Sequence, residues 1–117
     1  MRDDAGLVSG TLDLLVLRSL AWGPQHGFGV ARWIQSSSAD AILVEDRSLY
    51  LALHRLEERH FVESEWGLSE NKRRARFYQL TMSGRQELQA RSTRWARYAE
   101  AVARILQSST PPVASHA

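Results

Sequence analysis

Apolar and polar positions recur with a helical period over the first half of the chain. From Thr11 onward, Leu12, Leu15, Val16 and Leu20 form a stripe that Leu14 and Leu17 widen, which predicts a helix buried on more than one side. Ser9 or Thr11 is placed to cap its start. Gly23-Pro24 ends it, because proline lacks an amide donor and disfavours a helical residue before it. A second helix is predicted from His26 or Gly27 to about Ser37, with Val30, Trp33 and Ile34 on one face. Ala41-Ile42-Leu43-Val44 is β-prone and too short for a helix, so it reads as a strand leading into a third helix. That helix spans Ser48 to Arg59, with Asp46 or Ser48 as its cap. Leu49, Leu53 and Leu56 fall at i, i+4 and i+7 and face the core. Tyr50, Leu51, His54 and Arg55 are left turned outward, open to a ligand.

The pattern then changes. Phe61 to Gly67 and Arg74 to Leu80 are β-prone arms around the polar segment Leu68 to Arg73, which predicts a hairpin. Thr81 or Ser83 can cap a further helix, and Ser83 with Gln86 has capping-box spacing. Along this helix Leu88, Trp95, Val102, Ile105 and Leu106 recur at sevens and at threes and fours, with arginines on the other faces. So small a domain cannot cover so long a stripe alone. The same helix of a second subunit is the natural cover, making these five residues the expected dimer interface. The segment 108–117, with Pro111-Pro112 and no periodicity, reads as a disordered tail. The order helix, helix, strand, helix, hairpin, long helix is that of a winged helix-turn-helix: mainly α with a small β-hairpin (α+β). The expected division is a DNA-binding unit over 10–81 and a C-terminal dimerisation helix over 82–107.

Charge sharpens the picture. The net charge is only +2, but four of the five residues from Lys72 to Arg76 are cationic. Lys72 is the one lysine among fifteen cations; the arginine fork suits phosphate and guanine edges, and a GC-rich coding bias would give the same preference. A basic arm beside a small exposed helix suits a protein that sets one element into a groove and grips phosphates with another. The composition, 44% hydrophobic and 24% charged, is that of a folded soluble protein of one domain. With no cysteine there is no disulfide or thiolate site. His54 and His60 project in different directions from a helix, and His26 and His116 have no neighbouring ligand, so no metal is expected. No phosphate loop, nucleophile elbow or triad appears, and the chain is not expected to be an enzyme or to need a cofactor. Met1-Arg2-Asp3-Asp4 lacks a secretion signal's character, and Leu12 to Trp22 is too short to cross a bilayer. The expected compartment is the cytoplasm.

Four segments go beyond architecture: Gly10-Thr11-Leu12-Asp13-Leu14-Leu15-Val16-Leu17; Gly23-Pro24-Gln25-His26-Gly27-Phe28; Ser48-Leu49-Tyr50-Leu51-Ala52-Leu53-His54-Arg55-Leu56-Glu57; and Ser64-Glu65-Trp66 with Arg73-Arg74-Ala75-Arg76-Phe77-Tyr78-Gln79-Leu80-Thr81-Met82-Ser83-Gly84-Arg85. In order and spacing, from about Gly10 to Leu106, they resemble the successive motifs of the PadR family of bacterial transcriptional regulators. The resemblance implies a homodimeric repressor with the third helix in the major groove of double-stranded DNA and the hairpin as a wing on the flanking backbone. It also implies a phosphate contact for Tyr50. Two positions depart from the family pattern: Arg47 stands where glycine is usual, and Leu51 where proline is usual.

The candidate DNA-binding residues are therefore Arg47, Ser48, Tyr50, Leu51, His54 and Arg55 on the third helix and Lys72, Arg73, Arg74 and Arg76 on the wing. Each has a plainer reading. The wing cations can serve as solvated charge that protects a sheet edge, Ser48 as a helix cap, and His54 and Arg55 as surface. Phe77, on the opposite face from Arg74 and Arg76, is expected in the core, and Trp66 is expected to pack. Glu57 and Glu58 are expected in surface ion pairs. Trp95 is either an anchor of the dimer core or a wall that stacks a planar aromatic effector. The alternative to a DNA-binding regulator is a winged-helix protein-interaction module or small-molecule sensor without direct DNA binding.

Overall fold

The computed structural model describes residues 10–113. In order the elements are α1 (Thr11–Ser19), β1 (Gln25–His26), α2 (Gly27–Ser37), α3 (Asp46–Glu58), β2 (Val62–Leu68), β3 (Arg74–Leu80) and α4 (Met82–Gln107). The strands form one antiparallel sheet in the order β1-β3-β2, with Val62 opposite Leu80 and Leu68 opposite Arg74. This is the α+β winged-helix architecture expected from the sequence. The core gathers Val16, Leu17 and Leu20 of α1, Val30 and Ile34 of α2, Leu49, Ala52, Leu53 and Leu56 of α3, and Val62, Tyr78 and Leu80 of the sheet. Each large aliphatic side chain among them stabilises the fold by about 1.5–3 kcal/mol relative to exposure.

Several local expectations are corrected. Residues 41–44 form no strand: the Ile42 amide binds Ser38 Oγ (3.0 Å), and Leu43 is exposed. The free edge of β3 is taken instead by Gln25–His26, which pair with Tyr78 and Phe77. Both Ile42 and Val44 still pack against the core. The residue capping α3 is Glu45, without a side-chain bond, so neither Asp46 nor Ser48 serves as cap. For α1 the cap position is Gly10 in the left-handed region, and Ser9 lies outside the described residues. The first wing strand runs one residue further than expected, to Leu68, and Trp66 on it is exposed rather than packed inside. Phe77 is only partly buried and lies outside the main core, edge-on to His26. Of the tail, residues 108–113 carry no helix or strand; residues 114–117, including His116, lie outside the described residues, as do Met1 to Asp4.

The end of α3 and the start of α4 are sewn together. His60 takes a left-handed conformation (φ 64°), which lets its amide bond Glu57 and the Phe61 amide bond Leu56. The Thr81 side chain caps α4 by accepting from the Gly84 amide (3.0 Å) and donating to the His60 carbonyl (2.6 Å). Ser83 Oγ donates to that same carbonyl rather than forming a box with Gln86. Gly84 lies so close to the Phe61 carbonyl that a Cβ there would collide with backbone. Gly84→Ala is expected to cost about 2 kcal/mol of stability by overpacking this seat, read from urea unfolding.

Ion pairs tie the three helices across their polar edges. Asp13 of α1, largely covered, accepts from Arg55 of α3 (2.6 Å) and lies 3.9 Å from Arg91 of α4. Arg91 in turn donates to Glu87 (2.6 Å). That hydrogen bond holds the Glu87 carboxyl below the usual carboxylate range. A carboxyl whose folded pKa is depressed adds stability above its unfolded value, and the gain vanishes as pH falls through the folded value. The stability difference between wild type and Glu87→Gln should therefore be present near neutrality and shrink as pH falls below the ordinary carboxylate range and through the depressed folded value, measured by urea unfolding across pH.

Candidate nucleic-acid interface

The face of α3 opposite its buried stripe carries the residues singled out from the sequence. Tyr50 is 53% exposed and Leu51 48%, so two large apolar side chains stand next to one another on the solvent side of the helix. Arg47, His54 and Arg55 are exposed on the same helix, and Ser48 is half-buried in its first turn. His54 is 3.4 Å from Glu58, one turn on.

The wing extends from the core as the two-stranded part of the sheet. Its tip turns at Ser69 to Arg73: the Lys72 amide bonds the Ser69 carbonyl (2.8 Å), the Ser69 amide bonds Arg73 (2.9 Å), and Lys72 adopts φ 60°. Lys72, Arg73 and Arg74 are all exposed. Strand register puts Ser64, Trp66, Leu68, Arg74, Arg76 and Tyr78 on one face. The Trp66 ring is covered by the guanidiniums of Arg74 at 4.7 Å and Arg76 at 5.8 Å, a cation–π stack that explains how a tryptophan stays outside the core.

Two predicted DNA ligands are engaged within the chain. Arg76 donates to Ser64 Oγ (2.8 Å) and lies 3.5 Å from Glu57, to which Ser64 also donates (2.7 Å). It thereby braces the wing on α3. Arg55 is held by Asp13, whose carboxylate keeps the guanidinium more firmly protonated than usual. Glu57 makes the ion pair expected of it, with Arg76, and Glu58 lies beside His54.

Between the wing and the start of α2, with Tyr50 of α3 at its side, lies a cleft of about 570 Å³ whose lining includes His26, Arg32, Tyr50, Glu70, Arg74 and Tyr78. His26, Arg32 and Glu70 were not legible as site residues, because β1 and the curl of the wing tip bring them there. His26 caps α2 by accepting the Gly29 amide at Nδ1 (3.0 Å). The Tyr50 ring packs over Gly27, where an added Cβ would meet its hydroxyl at 3.0 Å. A second groove, about 450 Å³, lies between the start of α1 and α4, and Arg59, Arg91, Arg94, Trp95 and Tyr98 line part of it. Trp95 and Tyr98 are 6.0 Å apart, centroid to centroid. Among the described residues no cluster of His, Asp and Glu could hold a metal, and no helix is long and apolar enough to cross a membrane.

Comparison with known proteins agrees with this geometry. The solved structure of a transcriptional regulator from Clostridium thermocellum is similar at a TM-score of 0.78 with 22% identity, covering 87% of this chain and 99% of that one. A PadR family transcriptional regulator from Eggerthella lenta is similar at 0.72 with 27% identity, covering 86% and 85%. A PadR-like transcriptional regulator from Bacillus cereus is similar at 0.76 with 18% identity, covering 89% and 99%. An uncharacterised protein of Lysinibacillus sphaericus is 22% identical over 82% of this chain and 88% of its own length. Residues 16–90, more than half of the chain and spanning α1 through the wing into α4, match the model of the PadR-like transcriptional regulators, and the chain belongs to that family.

Proposed function

We propose that this transcriptional regulator is a cytoplasmic homodimer that binds a palindromic operator and represses. The observation that carries the reading is the exposed Tyr50–Leu51–His54 face of α3 on the same molecule as a wing tip of three exposed cations, with Tyr50 and Arg74 lining one cleft. The proposed division follows: residues 10–81 bind DNA and 82–107 dimerise. Arg47, Ser48, Tyr50, Leu51 and His54 meet the major groove and its rim, and Lys72, Arg73 and Arg74 meet the flanking backbone. Arg55 and Arg76 join them only by sharing their guanidiniums with Asp13 and Glu57.

Two copies of α3 related by a two-fold axis would address half-sites about 34 Å apart, one turn of duplex. Selection from a random duplex pool at low and moderate salt should enrich a palindrome of that spacing; failure to enrich any sequence sinks the reading. Alanine at Lys72, Arg73 and Arg74 together should weaken binding evenly across sequences and flatten the log–log salt slope by about 0.9 for each phosphate no longer neutralised. Leu51→Ala should instead change which sequences are selected.

Dimerisation is supported by α4 itself. Trp95, Ile105 and Leu106 are 39%, 73% and 78% exposed along a helix of 26 residues, far more apolar surface than a solitary helix end carries comfortably. Ile105→Glu with Leu106→Glu should yield a monomer in sedimentation, and a wild type that is itself monomeric at micromolar concentration refutes the arrangement.

The groove beside Trp95 favours a second reading, a sensor for a planar aromatic molecule, with release of DNA by a change in dimer angle. Flat ligands should quench indole fluorescence in wild type and not in Trp95→Phe; equal quenching in both places the ligand elsewhere.

A further inference from the structure

The cleft between the wing and the start of α2 is built for an anion, and the chain places one of its own there. Arg32 comes from α2 and Arg74 from β3, Arg76 of β3 is shared with Glu57, and the positive end of the α2 dipole adds to them. Glu70 is the only carboxylate among the described lining residues. Its Oε1 lies 3.3 Å from His26 Nε2. Because His26 Nδ1 is already an acceptor for the Gly29 amide, the neutral ring carries its proton on Nε2 and donates to Glu70. The Glu70 side chain is 80% exposed at a loop tip, so packing does not dictate its position. Its own backbone amide first, and then His26 and the charge of Arg32, hold its carboxyl below the usual range.

A separate observation points to a ligand. Tyr78 is 7% exposed and lines the same cleft, yet its hydroxyl has no hydrogen-bond partner among the described residues. Facing the cleft, that hydroxyl can donate to an acceptor oxygen arriving there.

We propose that the cleft seats a backbone phosphodiester of duplex DNA and that Glu70 occupies it in the free protein as an internal substitute for that phosphate. The inference rests on the DNA-binding reading and adds a residue that opposes it. When the wing docks, the phosphate displaces the Glu70 carboxylate from His26 and takes over its cationic surroundings. The displacement is needed for every duplex whatever its sequence. Phosphate contact by itself is thereby weakened, and only sites whose base edges reward α3 are held at working salt.

The test measures anisotropy of a fluorescein-labelled, mixed-sequence duplex with the full chain, at about 50 mM and about 200 mM NaCl. Wild type is compared with Glu70→Gln and with Glu65→Gln. Glu65 is an exposed residue of the same wing, on the sheet face opposite Arg74 and Arg76, so its substitution changes net charge equally outside the cleft. Glu70→Gln should bind roughly fivefold tighter than wild type at the lower salt, the scale of one modest charge contact, and Glu65→Gln should gain less than about twofold. Binding by Glu70→Gln alone, with wild type silent, also supports the proposal. Equal gains in both variants reduce the effect to net charge and overturn it. Weaker binding by Glu70→Gln makes the pair a strut that organises the wing, and overturns it too. If wild type binds and Glu70→Gln merely matches it, this inference falls alone; if no variant binds at either salt, the DNA-binding reading falls with it.

Discussion

The burial of one stripe of α3 is the constraint on which the rest depends. Leu49, Ala52, Leu53 and Leu56 are all at most 1% exposed, wedged between α1, α2 and the sheet. A helix has no freedom to turn once four positions on one side are fixed at this density. Tyr50, Leu51 and His54 must then look outward, and any groove-reading role they have is a by-product of where the leucines went. The same core positions β3 through Tyr78 and Leu80, so α3 and the wing share one foundation.

Second to the core is a set of polar braces that set the attitude of those two elements. Arg76, Ser64 and Glu57 tie wing to α3, and Asp13 ties α3 to both α1 and α4. These pairs are partly exposed, so each adds little stability, on the order of 0–1 kcal/mol. Their worth is geometric. An arginine read from the sequence as a ligand for phosphate can equally serve as a tie-rod, and Arg55 and Arg76 show that local charge pattern does not separate the two uses.

What the sequence made legible was what repeats. The leucines of α1 and α3 and the two arms of the wing announce themselves by their pattern and lie where it puts them, and α4 forms over the length its period predicts, with Leu88 of its stripe turned onto the chain's own core. Positions set by tertiary pairing were not. Residues 41–44 have strand-like composition but no free edge to join, while Gln25–His26, too short to show any period, find one beside β3. The exposed Trp66 was misplaced for a similar reason: aromatic character suggests burial, and only the strand register shows two arginines across and beside it. His26, Arg32 and Glu70 lie far apart in sequence and meet only because the wing curls over α2, so no spacing rule could have grouped them.

The seat of α4 on the end of α3 carries a mechanical consequence. With Gly84 pressed against the Phe61 carbonyl, Thr81 bonded to His60, Leu88 on the core and Arg91 beside Asp13, the first turns of α4 are a stiff seat rather than a hinge, and the helix beyond Arg91 is a lever arm roughly 24 Å long. A rotation of about 5° at that seat sweeps the far tip through roughly 2 Å, taking the rise per residue as the measure of its length. Run in reverse, a displacement of a few ångströms at the tip reaches the root of the wing as a small change of angle, so whatever grips the free end of α4 has a gear ratio over the far side of the molecule.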